Sequence, residues 1–246
     1  MTRVLITRPR DEAEALSGRI SALGFVPIID PMIEIRTLSN VSVEDRDFQA
    51  VVFTSANGVR ALASNAGFSR TLPAFAVGTA TAAAARAAGF TAVVEGPGPV
   101  EELAPLIAGQ CQPSRGAVLH VSGSIVARDL APLLAKAGLT VNRAVLYESV
   151  QATQLQRETC DGFAQSTIGA ALFFSPRTAR TFVNVVNAAG LVGTVGSVVA
   201  LSLSVAVAEV LAPLTFARTM TAARPTTDSL LESLVSFNHP SPSATS

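Results

Sequence analysis

The chain is 246 residues long, carries 18 basic and 18 acidic side chains, and is 49% hydrophobic against 15% charged. That composition can bury a core, so disorder is excluded for the bulk of the chain, and the length suits one large domain or two small ones. A net charge of +0 argues against a dedicated nucleic-acid binder, which would be basic.

In chain order, MTRVLITRPRDEAEAL breaks into charge too soon for a signal peptide, so a cytoplasmic protein is expected. VLIT at 4–7 reads as a buried strand, followed by a helical pattern closing at SALG, 21–24. A longer polar connector follows from Arg36 to Asp47. Then come the strand VVFT (51–54), the strand FAVG (75–78) and a helix closing at ARAAG, 85–89. VLHV (118–121) opens another unit, whose helix closes at AKAG, 135–138, before a second polar connector from Ser149 to Ser166. ALFF (171–174) and VVALS (198–202) are the last clear strands. No charge occurs between Arg180 and Glu209, and the run is long enough to raise a membrane span. Gly190, Gly193, Gly196, Asn184 and Asn187 argue against one, as does a second copy of the pattern elsewhere. The tail from Asn238, NHPSPSATS, reads as disordered, with 241–246 outside any domain.

The pattern is an internal repeat. Leu16 aligns with Leu130, Gly24 with Gly138 and Glu34 with Glu148 at one constant spacing. VVFTSANGVRAL then matches ALFFSPRTARTF, AVGTATA matches ALSLSVA, and PVEEL matches TTDSL, the spacing growing by small steps as loop insertions would make it. Strands alternating with helices indicate an α/β fold with parallel sheets and two similar halves. The two polar connectors fall at equivalent places in the copies and look like crossings between domains. The first unit, 1–35, is then free to join the last third of the chain.

In open α/β sheets, ligands bind beyond the carboxyl ends of the strands. Here those ends are Thr7-Arg8, Thr54-Ser55-Ala56-Asn57, Thr79-Ala80-Thr81, Ser122-Gly123-Ser124, Ser175-Pro176-Arg177-Thr178 and Ser202-Leu203-Ser204, each expected to precede a helix. Small hydroxylated residues there are ordinary helix caps, yet they also let an anion approach the free helix amides. Several such ends together suit a ligand carrying many carboxylates or phosphates. Lys136 is the only lysine, so the remaining basic residues are arginines, and Arg8, Arg128 and Arg177 stand at or just after strand ends. Tyr147 is the only tyrosine and replaces the apolar Ile33 of the other copy. Two readings stay open for it: a boundary residue with a wet hydroxyl, or a proton donor. Cys111 and Cys160 belong to no CxxC, and the histidines His120 and His239 are far apart, so neither a metal site nor histidine catalysis is expected. There is no GxxxxGK[ST] and no GxSxG, and Gly96-Pro97-Gly98 reads as a turn.

With TRP after the first strand, TSANGVRAL, VGTATA, FFSPRTARTF, LSLSVA and the late ARPTTDSLLESL, the chain resembles the uroporphyrinogen-III synthase family over 2–237. The resemblance implies two flavodoxin-like parallel-sheet α/β domains joined by a two-stranded linker, with the ligand cleft between them. It implies residues 1–35 with 150–240 in one domain and 38–146 in the other. The activity implied is closure of linear hydroxymethylbilane to uroporphyrinogen III, with loss of water and inversion of the last ring. The substrate carries eight carboxylates, which agrees with a site of hydroxyls and helix amides. Tyr147 aligns with the family tyrosine proposed to assist departure of the leaving hydroxyl. The contacts implied are Thr54, Ser55, Asn57, Thr79, Thr81, Ser122, Gly123, Ser175, Thr178 and Ser204, with Thr7 and Arg8 added at the first strand end. Val205 stands where some members carry a hydroxyl residue, and HVSGS is a loose match. No cofactor, no metal, no nucleic acid and no membrane are implied. The expected partner is the tetrapyrrole substrate, with a transient encounter with the upstream hydroxymethylbilane synthase allowed, and the expected state is a monomer. The rival reading is a non-catalytic, two-lobed binding protein for a small polyanion, which the lack of an export signal disfavours. A tandem of regulatory modules would need an acidic cluster at a strand end, and VLITRP, VVFTSA and VLHVSG have none.

Overall fold

The computed structural model describes residues 1–38, 41–44, 48–65, 67–125 and 128–238. Its elements begin with β1 (Arg3–Ile6), α1 (Arg10–Ala22), β2 (Val26–Ile29), β3 (Ile33–Thr37), β4 (Phe48–Phe53), α2 (Ala56–Ala63) and β5 (Ala74–Ala76). There follow α3 (Thr79–Ala87), β6 (Val93–Glu95), α4 (Val100–Gln110), β7 (Ala117–Gly123), α5 (Ala131–Ala135) and β8 (Val141–Gln151). The chain continues with α6 (Arg157–Ala164), β9 (Ile168–Phe173), α7 (Pro176–Ala188), β10 (Val199–Ser202), α8 (Val205–Leu211), β11 (Arg218–Thr221) and α9 (Thr227–Asn238). They divide into two units, Met1–Glu34 with Val150–Ser246, and Ile35–Ser149.

The first unit holds a five-stranded sheet in the order β11-β10-β9-β1-β2. All of its pairings are parallel, with Leu5 opposite both Ile28 and Ala171. Parallel strands need cover on both faces, and their continuous apolar sequence provides for it. Successive side chains point to opposite faces. Val4, Ile6, Leu172 and Leu201 therefore pack with Leu16 and Ile20 of α1 and Leu230 and Leu234 of α9. Leu5, Phe173 and Ala200 pack on the other face with Phe163 of α6, Phe182 of α7 and Leu211 of α8. The Phe173 and Phe182 rings meet edge to face at 4.9 Å.

The second unit holds a six-stranded sheet, β3-β8-β7-β4-β5-β6, with parallel pairings from β8 through β6. Val51, Phe53, Leu119 and Val121 face Val59 and Leu62 of α2 and Ala85 of α3. Ala50, Val52, Phe75 and Val118 face Leu103 and Ile107 of α4 and Leu134 of α5.

Counted in chain order within the first unit, the sheet order is 2-1-3-4-5, the flavodoxin-like winding. The second unit has the same winding if counting starts at β7 and continues through β8 into β4. Each unit thus takes its β-α-β opening from one copy of the repeat and its last three strands from the other. Gly24 and Gly138, aligned between the copies, both follow a helix with positive φ, 84° and 71°. Glycine adopts that left-handed turn without steric cost.

Three sequence expectations change. The connector from Ser149 to Ser166 is not irregular: β8 runs on to Gln151, and α6 buries Thr159, Gly162 and Phe163 within it. The uncharged run after Arg180 is cut into the end of α7, a 3-10 turn (Val192–Ser197), β10 and α8. No helix among the described residues is long and apolar enough to cross a membrane. Asn238 belongs to α9 rather than to a tail; the rest of that tail, 239–246, lies outside the described residues.

Candidate functional site

The carboxyl end of the second unit's sheet gathers the sequence candidates most fully. A pocket of about 370 Å³ opens there. Thr54 and Ser55 line it from the end of β4, Gly123 and Ile125 from the end of β7, and Tyr147 from β8. Gly98, Val100 and Glu101 contribute from the start of α4, Val77 from the end of β5, and Arg128 from the turn before α5. The size and the mixture of apolar walls with a few polar groups are those of a small-molecule site.

Local sequence explains the placement. Ser55 has extended backbone and caps α2, its Oγ accepting from the Asn57 amide at 3.2 Å. On β8 the register slips, Ser122 pairing with Val145 but Gly123 with Tyr147, so one extra residue is accommodated. Such a bulge re-aims a side chain, and here Leu146 and Tyr147 both join one core face. The Tyr147 ring packs against Gly123, where a Cβ would meet it at 2.7 Å. Glycine is required at 123 by that contact. The phenol makes no hydrogen bond among the described residues and is able to donate or accept. Arg143 braces the same turn: Nε donates to Ser122 Oγ at 2.7 Å and Nη2 to the carbonyls of Gly123 and Ser124 at 2.7 and 3.2 Å. At the rim, Arg128 pairs with Glu101 at 2.9 Å.

The other candidates of this unit lie outside the pocket lining. Asn57 accepts from Arg60. Thr79 donates to Glu95 at 2.7 Å. Thr81 is buried in α3. Ser122 is buried against Arg143. The helix that the sequence places directly after Gly123 is not found among the described residues 124–125 and 128–130, and α5 begins at Ala131 and spans 5 residues. Sequence reasoning missed Val77, Gly98, Val100, Glu101 and Ile125, which are apolar or rim residues without chemical signature. It also set aside His120, which is buried on β7 with Nε2 3.4 Å from Thr54 Oγ1.

In the first unit, Thr7 is fully buried and donates to the Leu172 carbonyl at 2.7 Å, tying β1 to β9. Arg8 donates to Glu12 at 2.7 Å and stacks 4.4 Å over the Phe174 ring. Ser175 caps α7, accepting from the Thr178 amide at 3.2 Å, and its hydroxyl meets that of the buried Thr178 at 2.8 Å. Ser204 precedes α8 without a side-chain cap bond. A wider groove of about 700 Å³ runs between α1 and α9, but no strand-end candidate lines it. Burial raises the pKa of both thiols, Cys111 and Cys160, with Asp30 and Asp161 adding to the rise at Cys160, which disfavours the thiolate. No group of three or more His, Cys, Asp or Glu among the described residues is placed to hold a metal ion.

A doubly wound parallel sheet with a pocket beyond the carboxyl ends of its strands defines a class: flavodoxin-like α/β proteins whose sites lie at that edge. The comparisons give the particular family. The family model described as uroporphyrinogen-III synthase HemD matches residues 14–232. Among solved structures, the uroporphyrinogen-III synthetase of Helicobacter pylori is 19% identical, with a TM-score of 0.64 over 96% of this chain and 100% of that one. A mutant uroporphyrinogen III synthase from the extremely thermophilic bacterium Thermus thermophilus is also 19% identical, with a TM-score of 0.50 over 95% of this chain and 97% of that one. These two establish likeness of fold. No curated protein matches by sequence. The chain belongs to the uroporphyrinogen-III synthase family, lyases of tetrapyrrole biosynthesis. The match favours a synthase over a non-catalytic binding protein.

Proposed function

We propose that this chain closes linear hydroxymethylbilane to uroporphyrinogen III, and that the reacting end of the substrate occupies the pocket at the carboxyl edge of the six-stranded sheet. The observation that carries the site is Tyr147, bulged over Gly123 into the pocket lining with its phenol unengaged among the described residues. Closure needs the terminal hydroxyl to leave as water. A phenol beside it supplies the hydrogen bond or proton that departure requires. The rest of the task is geometric: the last ring must be held so that bond formation occurs at its substituted carbon. Positioning of this kind lowers a barrier without a strong acid or base. Thr54, Ser55 and the amides opening α2 and α4 are the groups on hand for carboxylates in this pocket, with Arg128 free to exchange Glu101 for a substrate carboxylate at the rim. Of the strand-end groups of the first unit, the half-buried Ser204, which makes no cap bond, offers the same chemistry, while Ser175 is half-buried and engaged with Thr178. Thr7, Thr81, Thr178 and Ser122 act through the packing of strand and helix rather than by contact. The working protein is read as a cytoplasmic monomer that meets the upstream synthase at most transiently.

The test is an isomer analysis. Hydroxymethylbilane is generated in situ, the protein is added, and the oxidised uroporphyrins are separated. Isomer III is expected to predominate and to rise with added protein. Tyr147→Phe keeps the ring on Gly123 and is expected to slow turnover on the order of 100-fold. Isomer I alone, from folded protein, would remove the proposal, and an unchanged rate in the variant would remove Tyr147 from the chemistry.

A further inference from the structure

Beneath the pocket lies a histidine that the proposed chemistry does not use. His120 is 1% exposed on β7. Its Nδ1 is buried with no partner among the described residues. Its Nε2 faces the Oγ1 of Thr54 at 3.4 Å, and Thr54 lines the pocket. Burial, and then the nearby Arg143 guanidinium, pull the imidazole below its ordinary pKa, while Asp129 acts the other way. A neutral ring has one proton to place. On Nδ1 it would be a buried donor with no acceptor; on Nε2 it leaves only a lone pair unpaired, the smaller loss. The Nε2–H then donates to Thr54 Oγ1. A hydroxyl that accepts from His120 sends its own proton elsewhere, and that hydroxyl makes no other bond among the described residues.

We propose that His120 is a positioning residue: as the Nε2–H tautomer it holds Thr54 as a hydrogen-bond donor into the pocket, aimed at a carboxylate of the ligand. The identity of that ligand rests on the synthase reading; the His120–Thr54 bond does not. His120 itself touches no substrate. The effect belongs to binding, since the carboxylate is present before and after ring closure.

Two measurements test this. Long-range 15N–1H correlation on the wild-type protein, with the His120 signals assigned by their loss in His120→Gln, should report the Nε2–H tautomer and no titration across the neutral range. An Nδ1–H tautomer, or a freely titrating ring, would overturn the proposal. Kinetically, His120→Phe and Thr54→Val should each raise KM for hydroxymethylbilane about tenfold with little change in kcat, as loss of one hydrogen bond to a charged group does. The double variant should be no worse than either single one. His120→Gln, whose amide can stand where Nε2–H stood, should recover most of the affinity. Additive effects, or a fall in kcat alone, would count against the bond. Absence of isomer III from the wild-type protein would sink the synthase reading and leave the tautomer measurement to decide the His120–Thr54 pair.

Discussion

Tyr147 and Gly123 form one device built from two strands. The extra residue on β8 turns the ring, and the missing side chain on β7 gives it a seat. Gly123→Ala would press a methyl into the ring at 2.7 Å. We expect a loss of about 1–3 kcal/mol in stability, seen in urea unfolding, and a fall in kcat as the phenol is displaced. Tyr147→Phe, by contrast, should leave the unfolding midpoint unmoved. A second residue-scale effect belongs to Asp30, which is buried beyond β2 and accepts from the Gln156 amide at 2.9 Å, just before α6. Burial raises its pKa above the ordinary 3.8, only partly offset by the Thr159 hydroxyl, the Gln156 amide and the charge of Arg10. Between the ordinary value and the raised one, the folded state therefore binds more proton than the unfolded chain. Its contribution to stability falls as pH rises from the ordinary carboxylate range through the raised value. The difference in unfolding free energy between wild type and Asp30→Asn, followed against pH, should carry that sign; the opposite slope would show the carboxylate to be stabilised instead. The kinds of residue at this site were legible in the sequence, because small hydroxylated strand ends have a mechanism behind them. Which hydroxyls stand open was not. Thr7 and Thr178 look like Thr54 in sequence, and only the neighbouring strand or cap buries them.

At the scale of elements, repeated patterns were the informative signal. The apolar runs within β1, β4, β5, β7, β9 and β10 stand out because buried parallel strands need no polar alternation. β11, with the sequence RTMT, pairs only with β10 and shows mostly exposed side chains, so it leaves no apolar run to find. The helix α6 hides for a related reason. Its sequence is RETCDGFA, and Gly162 is set by the close approach of Ile168, 2.8 Å from where its Cβ would stand, a contact made only after folding. Caps separate two serines that sequence treats alike. Ser175→Ala removes the acceptor of the Thr178 amide and should cost about 1 kcal/mol. Ser204 makes no cap bond, so Ser204→Ala should stay within about 0.5 kcal/mol by the same denaturation assay. A loss at Ser175 that stays within that same range would mean that its hydroxyl contributes nothing to α7.

For the whole molecule, the copies of the repeat and the folded units are different divisions of the same chain. β1 pairs with β9 and β2, while β4 pairs with β5 and β7. A fragment of residues 35–149 therefore contains a complete winding with both of its cores. It should fold alone, with a cooperative unfolding transition and protected amides in β4 and β7. The first copy, Met1 to Cys111, contains β1 without β9 and should show no such protection in β1. If instead the first copy gave protected amides in β1 and 35–149 stayed unfolded, the copies rather than the units would be the folding elements.

The strand order also decides what a ribosome must wait for. β1 and β2 leave the exit tunnel before β9, yet β1 lies between β2 and β9 and has an open edge until β9 (Ile168–Phe173) has emerged. Residues 35–149 have meanwhile emerged and can close their own sheet. For that interval the opening β-α-β segment is an unpaired strand edge with one uncovered apolar face, the kind of surface that nascent-chain chaperones bind and that seeds aggregation. Slowing translation between β8 and β9 should therefore lower the soluble yield of the full chain more than slowing it after β9, because only the first pause prolongs that exposure.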